Sequence, residues 1–108
     1  MANKINPIEL FKDLTHDNKK VPIGYFKNPK PGVVPFMVYY GVGMDSTIAD
    51  NINYFNVQRF NIELYTLEKR FDLEDKIEKI LIENEIIFEK GLDIFIPEDK
   101  TFMVPYYI

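Results

Sequence analysis

Residues 60–65 read Phe-Asn-Ile-Glu-Leu-Tyr, apolar at every second position. That is the period of a strand with one buried face, and it predicts a strand over 56–66. A second strand is predicted over 35–42, where aromatic and β-branched residues dominate. A third is predicted over 102–108, with Phe102, Val104, Tyr106 and Ile108 on one face. Pro105 removes a ladder donor and predicts an edge or a bulge. Shorter strands are predicted at 21–26, where Pro22 suits an edge or a strand start, and at 86–89 and 92–96 around a tight turn at Lys90-Gly91. Pro97 to Lys100 predicts a further turn. Pro29, Pro31 and Gly32 make 27–32 a loop, and 43–55 has no clear period, so a long loop or an extended hairpin tip is expected.

Helical spacing occurs twice. Asn6-Pro7-Ile8-Glu9 combines an N-cap, a proline in the first turn and a Glu three residues after the cap. Leu10, Phe11 and Leu14 follow at helical intervals, and the helix is expected to stop near Leu14 because His16, Asp17 and Asn18 continue a helix poorly. Asp72 is the expected cap of a second helix running to about Asn84. Leu73, Ile77, Ile80, Leu81 and Asn84 fall on one stripe, and Glu74, Lys76, Glu78, Lys79 and Glu83 cover the solvated remainder of this amphipathic helix. The order predicts an α+β fold: a mostly antiparallel sheet, an amphipathic helix packed on one face, and a short amino-terminal helix, in one domain over 1–108.

Both faces of that sheet carry large side chains. Met37, Tyr39 and Gly41 alternate with Phe36, Val38, Tyr40 and Val42, while Met103, Pro105 and Tyr107 lie on the face opposite Val104 and Tyr106. A sheet covered on one side shows polar residues on the other. Two explanations stand. Either Leu10, Phe11 and Leu14 of the first helix cover the second face, or Tyr39, Tyr65 and Tyr107 meet another subunit, since Tyr and Met are enriched in interfaces. Met44, Ile48, Ile52, Tyr54 and Phe55 are further expected interface residues, being apolar in a segment too irregular to form its own core. The alternative is that this segment folds back over the core.

Composition narrows the chemistry. The chain has 108 residues and no cysteine, which excludes disulfides, thiolate catalysis and Cys-based zinc sites. Its 46% hydrophobic and 28% charged residues exclude disorder over the whole length. The longest apolar run, 33–43, is interrupted by Pro35 and falls short of the roughly 20 residues that span a bilayer. The first residues lack the apolar core of a signal peptide, so synthesis and folding in a reducing cytoplasm are expected. Net charge is −4, unevenly spread. Residues 1–35 hold six lysines against three acids, and residues 36–108 hold seven Lys or Arg against fourteen acids. A mainly acidic chain does not suit specific nucleic-acid binding. The opposed halves do suit attraction between like subunits.

No catalytic constellation emerges. His16 is the single histidine and is expected at a helix exit, exposed or capping. Ser46 is the single serine and lies outside a nucleophile elbow. Gly41-x-Gly43 lacks the third glycine of a dinucleotide loop. The pairs Glu74–Asp75, Glu83–Glu85 and Glu98–Asp99 lack calcium-loop spacing and are expected to be solvated. A non-enzyme without catalytic, cofactor-binding or metal-binding residues is the expectation.

Several stretches carry a family resemblance. They are Val38-Tyr39-Tyr40 with the Gly/Asp/Asn loop after it, Phe60 to Thr66, Asp72 to Leu81, Glu83 to Ile86, and Phe102-Met103-Val104-Pro105-Tyr106-Tyr107-Ile108. Together, over roughly residues 21–108, they resemble the tail terminator, or tail-to-head joining, neck proteins of long-tailed phages and prophages of Gram-positive bacteria. The resemblance implies a sheet with packed helices and a virion protein made in the host bacterial cytoplasm. It implies assembly with itself as a hexameric ring that caps the tail tube protein and docks to the head connector. DNA would pass through the lumen without specific binding, and no catalytic site, cofactor or membrane is implied. Pro105 and the proline-rich 29–35 segment depart from the family's pattern. A head-completion or neck adaptor protein, and a small cytoplasmic binding module unrelated to phage, are the alternatives.

Overall fold

A computed structural model of the chain describes residues 5–46 and 56–108. It has two helices and eight strands among those residues: α1 (Pro7–Leu10), β1 (Thr15–His16), β2 (Lys19–Lys20), β3 (Ile23–Tyr25), β4 (Phe36–Ser46), β5 (Asn56–Thr66), α2 (Phe71–Glu83), β6 (Glu89–Lys90), β7 (Ile94–Ile96) and β8 (Thr101–Tyr107). The fold is α+β, with a mostly antiparallel sheet, α2 packed on it and a short helix at the amino end. No helix among the described residues is long and apolar enough to cross a membrane.

The sheet runs β3-β4-β5-β8-β6, and β7 also pairs with β8. The period-2 segment forms β5 with the bounds its pattern predicts. Its apolar residues and their cross-strand partners share one face: Met37 opposite Leu64, Tyr39 opposite Ile62, Val104 opposite Leu64 and Tyr106 opposite Ile62. Leu73, Ile77 and Leu81 of α2 join Met37, Ile62, Leu64, Val104, Tyr106 and Ile108 in the core cluster. Burying such side chains contributes roughly 1.5–3 kcal/mol each, so this face holds the fold together.

Several expectations need correction. The first helix ends at Leu10, four residues early, although Asn6 caps it as expected by accepting from the amides of Ile8 (3.1 Å) and Glu9 (3.4 Å). Asp17 and Asn18 do not end a helix. They take left-handed conformations (φ 53° and 62°) between β1 and β2, a two-residue hairpin turn that suits Asx residues. His16 is therefore largely buried, at 9% exposure, and sits 3.4 Å from Asp17 and 3.8 Å from Asp72. Arg70, not Asp72, occupies the N-cap of α2, and Asp72 lies in its first turn. The strand predicted to end at Val42 continues to Ser46 across a register shift between Gly41 and Met44, where Gly43 has φ 105°. Such a bulge hides the period.

The two short strands after α2 do not form a hairpin with each other. β6 and β7 line one edge of β8 in succession, at Tyr106–Tyr107 and at Thr101–Met103. Strand β8 is consequently interior, flanked by β5 on its other side, despite Pro105. The Pro105 carbonyl accepts from the Gly91 amide at 2.8 Å. A residue's N–H and C=O point to the same side of an antiparallel strand. The missing donor thus faces the break between β6 and β7, where a ladder bond is least needed.

Glu74 is a further correction. It is buried, not solvated, and meets Lys69 (2.9 Å) and Lys90 (2.7 Å). Lys69 also pairs with Asp93 at 2.8 Å, and Lys90 with Glu78 at 2.9 Å. The Tyr106 hydroxyl donates to Glu78 at 2.8 Å. This network ties α2 to β6, β8 and the segment before β7.

Candidate functional site: the open face of the sheet

The amino-terminal segment does not cover the second face. Phe11, Leu14 and Val21 belong to the same buried cluster as α2's stripe, on the side of Met37 and Leu64. Among the described residues, no helix lies over the opposite face. Register assigns that face: Phe36 is opposite Tyr65, Val38 opposite Glu63, Tyr40 opposite Asn61, Met103 opposite Tyr65, Pro105 opposite Glu63 and Tyr107 opposite Asn61.

Glu63 is its polar centre. Tyr65 donates its hydroxyl to one Glu63 carboxylate oxygen at 2.7 Å, and Tyr40 to the other at 2.9 Å. The Asn61 amide donates to the Tyr40 hydroxyl at 3.1 Å. Burial, and then the bonded Glu63 carboxylate, push the Tyr65 phenol well above its ordinary value. For Tyr40 the largest influence is the hydrogen bond from Asn61, which favours the phenolate. Burial and Glu63 together outweigh it, and the phenol is raised. Both rings therefore present neutral, oriented hydroxyls.

Aromatic stacking fixes the rings themselves. Phe36 lies flat on Tyr65, with centroids 4.7 Å apart at an interplanar angle of 6°. Phe26 stacks on Tyr40 at 5.1 Å and 13°. Phe26 does so from a left-handed backbone (φ 67°), an uncommon conformation for a bulky residue, and its amide donates to the Tyr39 carbonyl at 3.0 Å. The chain after β3 then crosses the open face at the sheet's edge. A Cβ on Gly24 would stand 2.5 Å from the Lys27 carbonyl oxygen and 2.8 Å from Pro29 Cδ, so only glycine fits beneath it. Rigid aromatic rings with fixed polar tips suit recognition. Among the described residues, no three His, Asp or Glu side chains are grouped to hold a metal ion.

The expected interface residues divide. Tyr65 and Tyr107 lie on the open face. Tyr39 does not: it lies with Met37 on the α2 side and packs against the core. Tyr40 takes the place expected for it. Alternation separates Tyr39 from Tyr40, but the pairing with β5 decides which one faces outward, and a one-residue slip reverses the answer. Met44 lies in β4 opposite Gln58, and its side chain is outside the described residues, as are Ile48, Ile52, Tyr54 and Phe55. Glu63 and Asn61 carry the site's hydrogen bonds, and the polar positions of the period-2 run were the signal for them.

No family model, curated protein or solved structure matches the chain.

Proposed function

We propose that this protein is a structural assembly subunit without enzymatic activity, a tail terminator of a long-tailed phage or prophage. In this reading it forms a hexameric ring on the tail tube and joins the tube to the head connector. The observation that carries the reading is the open sheet face. Tyr40 and Tyr65 bond its central carboxylate, Phe36 and Met103 lie opposite Tyr65, Tyr107 lies opposite Asn61, and no helix of the described chain lies over it. Its exposed rings, Tyr107 and Phe26, are poorly suited to solvent and well suited to a neighbouring subunit. The β4–β5 ribbon adds to this. β8 pairing on β5 begins at Asn61, and the Ile108 amide and carbonyl bond to Phe60. Among the described residues, the ribbon from Met44 to Ser46 and from Asn56 to Gln58 pairs with no third strand. A two-stranded ribbon is marginal alone and gains from a partner. The acidic excess of residues 36–108 also suits a lumen through which DNA slides without sticking.

The test is the native mass by light scattering over a range of concentrations, in solution and with tail tubes lacking their terminator. A species near six subunits, free or on the tube end, is the expected result. Tyr107→Glu should give a folded monomer. A wild-type chain that stays monomeric in solution and does not bind tubes would overturn the reading.

A further inference from the structure

Two surfaces near opposite ends of α2 differ in charge and share an apolar component. At the amino end, a cleft of about 400 Å³ lies between the β1–β2 hairpin, residues 33–35 and the chain entering α2. Lys19, Lys20 and Arg70 supply its cations, and exposed Val33 and Leu67 its apolar rim. Two acids also line it: Asp17 lies 3.4 Å from His16, and Glu68 lies 3.7 Å from Arg70. Among the described residues, the Lys19 and Lys20 side chains have no partner.

At the carboxyl end, residues 82–89 contain Glu83, Glu85 and Glu89 and no cation. Ile82 and Ile87 are exposed there, at 65% and 91%. Lys90, next in the chain, turns to Glu74 and Glu78 and leaves these acids unneutralised. Among the described residues, Glu83, Glu85 and Glu89 form no ion pair.

We infer that these surfaces dock on each other between neighbouring copies of this chain. Ile87, flanked by Glu85 and Glu89, enters the cleft rimmed by Val33 and Leu67, and Lys19 and Lys20 meet the two carboxylates. The inference rests on the ring-subunit reading and names one of its contacts. Charge complementarity selects a second copy as the occupant, since each copy carries both halves. The two halves cannot meet within one chain, because the 13 residues of α2 hold them about 20 Å apart. Two different patches in contact make a head-to-tail interface, the kind that closes into a ring by rotation.

A charge-swap experiment tests the contact. One variant carries Lys19→Glu and Lys20→Glu, the other Glu85→Lys and Glu89→Lys, and far-ultraviolet circular dichroism checks that each is folded. Each variant alone places like charges together and should weaken assembly at least about tenfold in midpoint concentration. An equimolar mixture restores opposite charges at every contact and should assemble within about threefold of the wild type, with a midpoint that rises with salt. Assembly of either variant alone at wild-type concentration overturns the inference, as does a mixture that fails when both partners are folded. Wild-type assembly with no response to the swaps defeats this contact but leaves the ring reading standing. A wild-type chain that never assembles defeats the ring reading itself.

Discussion

Glu74 follows Leu73 in α2, and by helical spacing alone it belongs with the solvated charges. Its side chain is nevertheless 2% exposed and is held by two ammonium groups. Removing the carboxylate leaves Lys69 and Lys90 near one another, although each keeps a second acid, Asp93 or Glu78, and some solvent contact. The cost of Glu74→Ala is therefore expected at about 1–3 kcal/mol, below the 3–5 kcal/mol of breaking a fully enclosed pair. Urea unfolding reads it as a lowered midpoint, with exposed Glu83→Ala within about 0.5 kcal/mol of the wild type. Equal midpoints for the two variants would show that the network adds nothing net. The partners explain why periodicity misses this residue. Lys69 precedes the helix and Lys90 follows it by several residues, so burial of Glu74 exists only once β6 has docked.

The carboxyl end of α2 shows how an element can end against its residue type. Asn84 is the C-cap, and the amides of Glu85 and Ile86 bond to the carbonyls of Ile82 (3.0 Å) and Leu81 (2.9 Å). That is the Schellman arrangement, and it puts Glu85 at φ 58°, where glycine is usual. A left-handed conformation costs a non-glycine residue roughly 1–2 kcal/mol. Glu85→Gly is expected to stabilise the protein by about 1 kcal/mol, offset in part by glycine's greater freedom when unfolded. A thermal melt should rise for Glu85→Gly and not for Glu85→Ala. A melt that falls with glycine would place the strain elsewhere. Strand elements teach the same point. Pro105 argues for an edge by composition, and β8 is interior because its one missing donor coincides with the break between two short neighbours.

Over the whole molecule, the ion network and the buried phenols set the response to pH. Burial alone would lower Lys69 and Lys90, but the hydrogen bonds and charges of Glu74, Asp93 and Glu78 outweigh it, and both are raised above 10.5. Burial, and then Glu78, raise Tyr106 far above 10.0. Each of these groups holds its proton more tightly when folded. Their stabilisation is full below pH 10.0 and is lost as pH rises further, because the unfolded chain releases those protons first. Glu78 behaves in the opposite sense. Burial opposes its ionisation, yet bonds from Lys90 and Tyr106 and the charges of Lys90 and Lys69 prevail and lower it below 4.5. Its contribution is full above 4.5 and is lost as pH falls through the lowered value. Urea midpoints across pH should therefore decline above pH 10 more steeply for the wild type than for Tyr106→Phe. Parallel declines would remove Tyr106 from the alkaline transition.

By itself, the sequence determined whatever depends on neighbours along the chain. The period of 56–66 set β5 and its buried face, the 3.6-residue stripe set α2, Asn6 set the start of α1, and Pro97 to Lys100 set the turn before β8. These are local choices of backbone geometry and side-chain direction, and local residues carry them. Alternation also showed that both sheet faces hold large side chains. Only the tertiary structure decided which face stays open. Phe11 and Leu14 went to the α2 side, and the Met37–Leu64 register turned Tyr39 inward and Tyr40 outward. It also decided the parallel pairing of β3 with β4, the interior place of β8 and the burial of His16 and Glu74. Each of those depends on which distant segment arrives alongside, and a one-residue slip between strands reverses a face without altering any local preference.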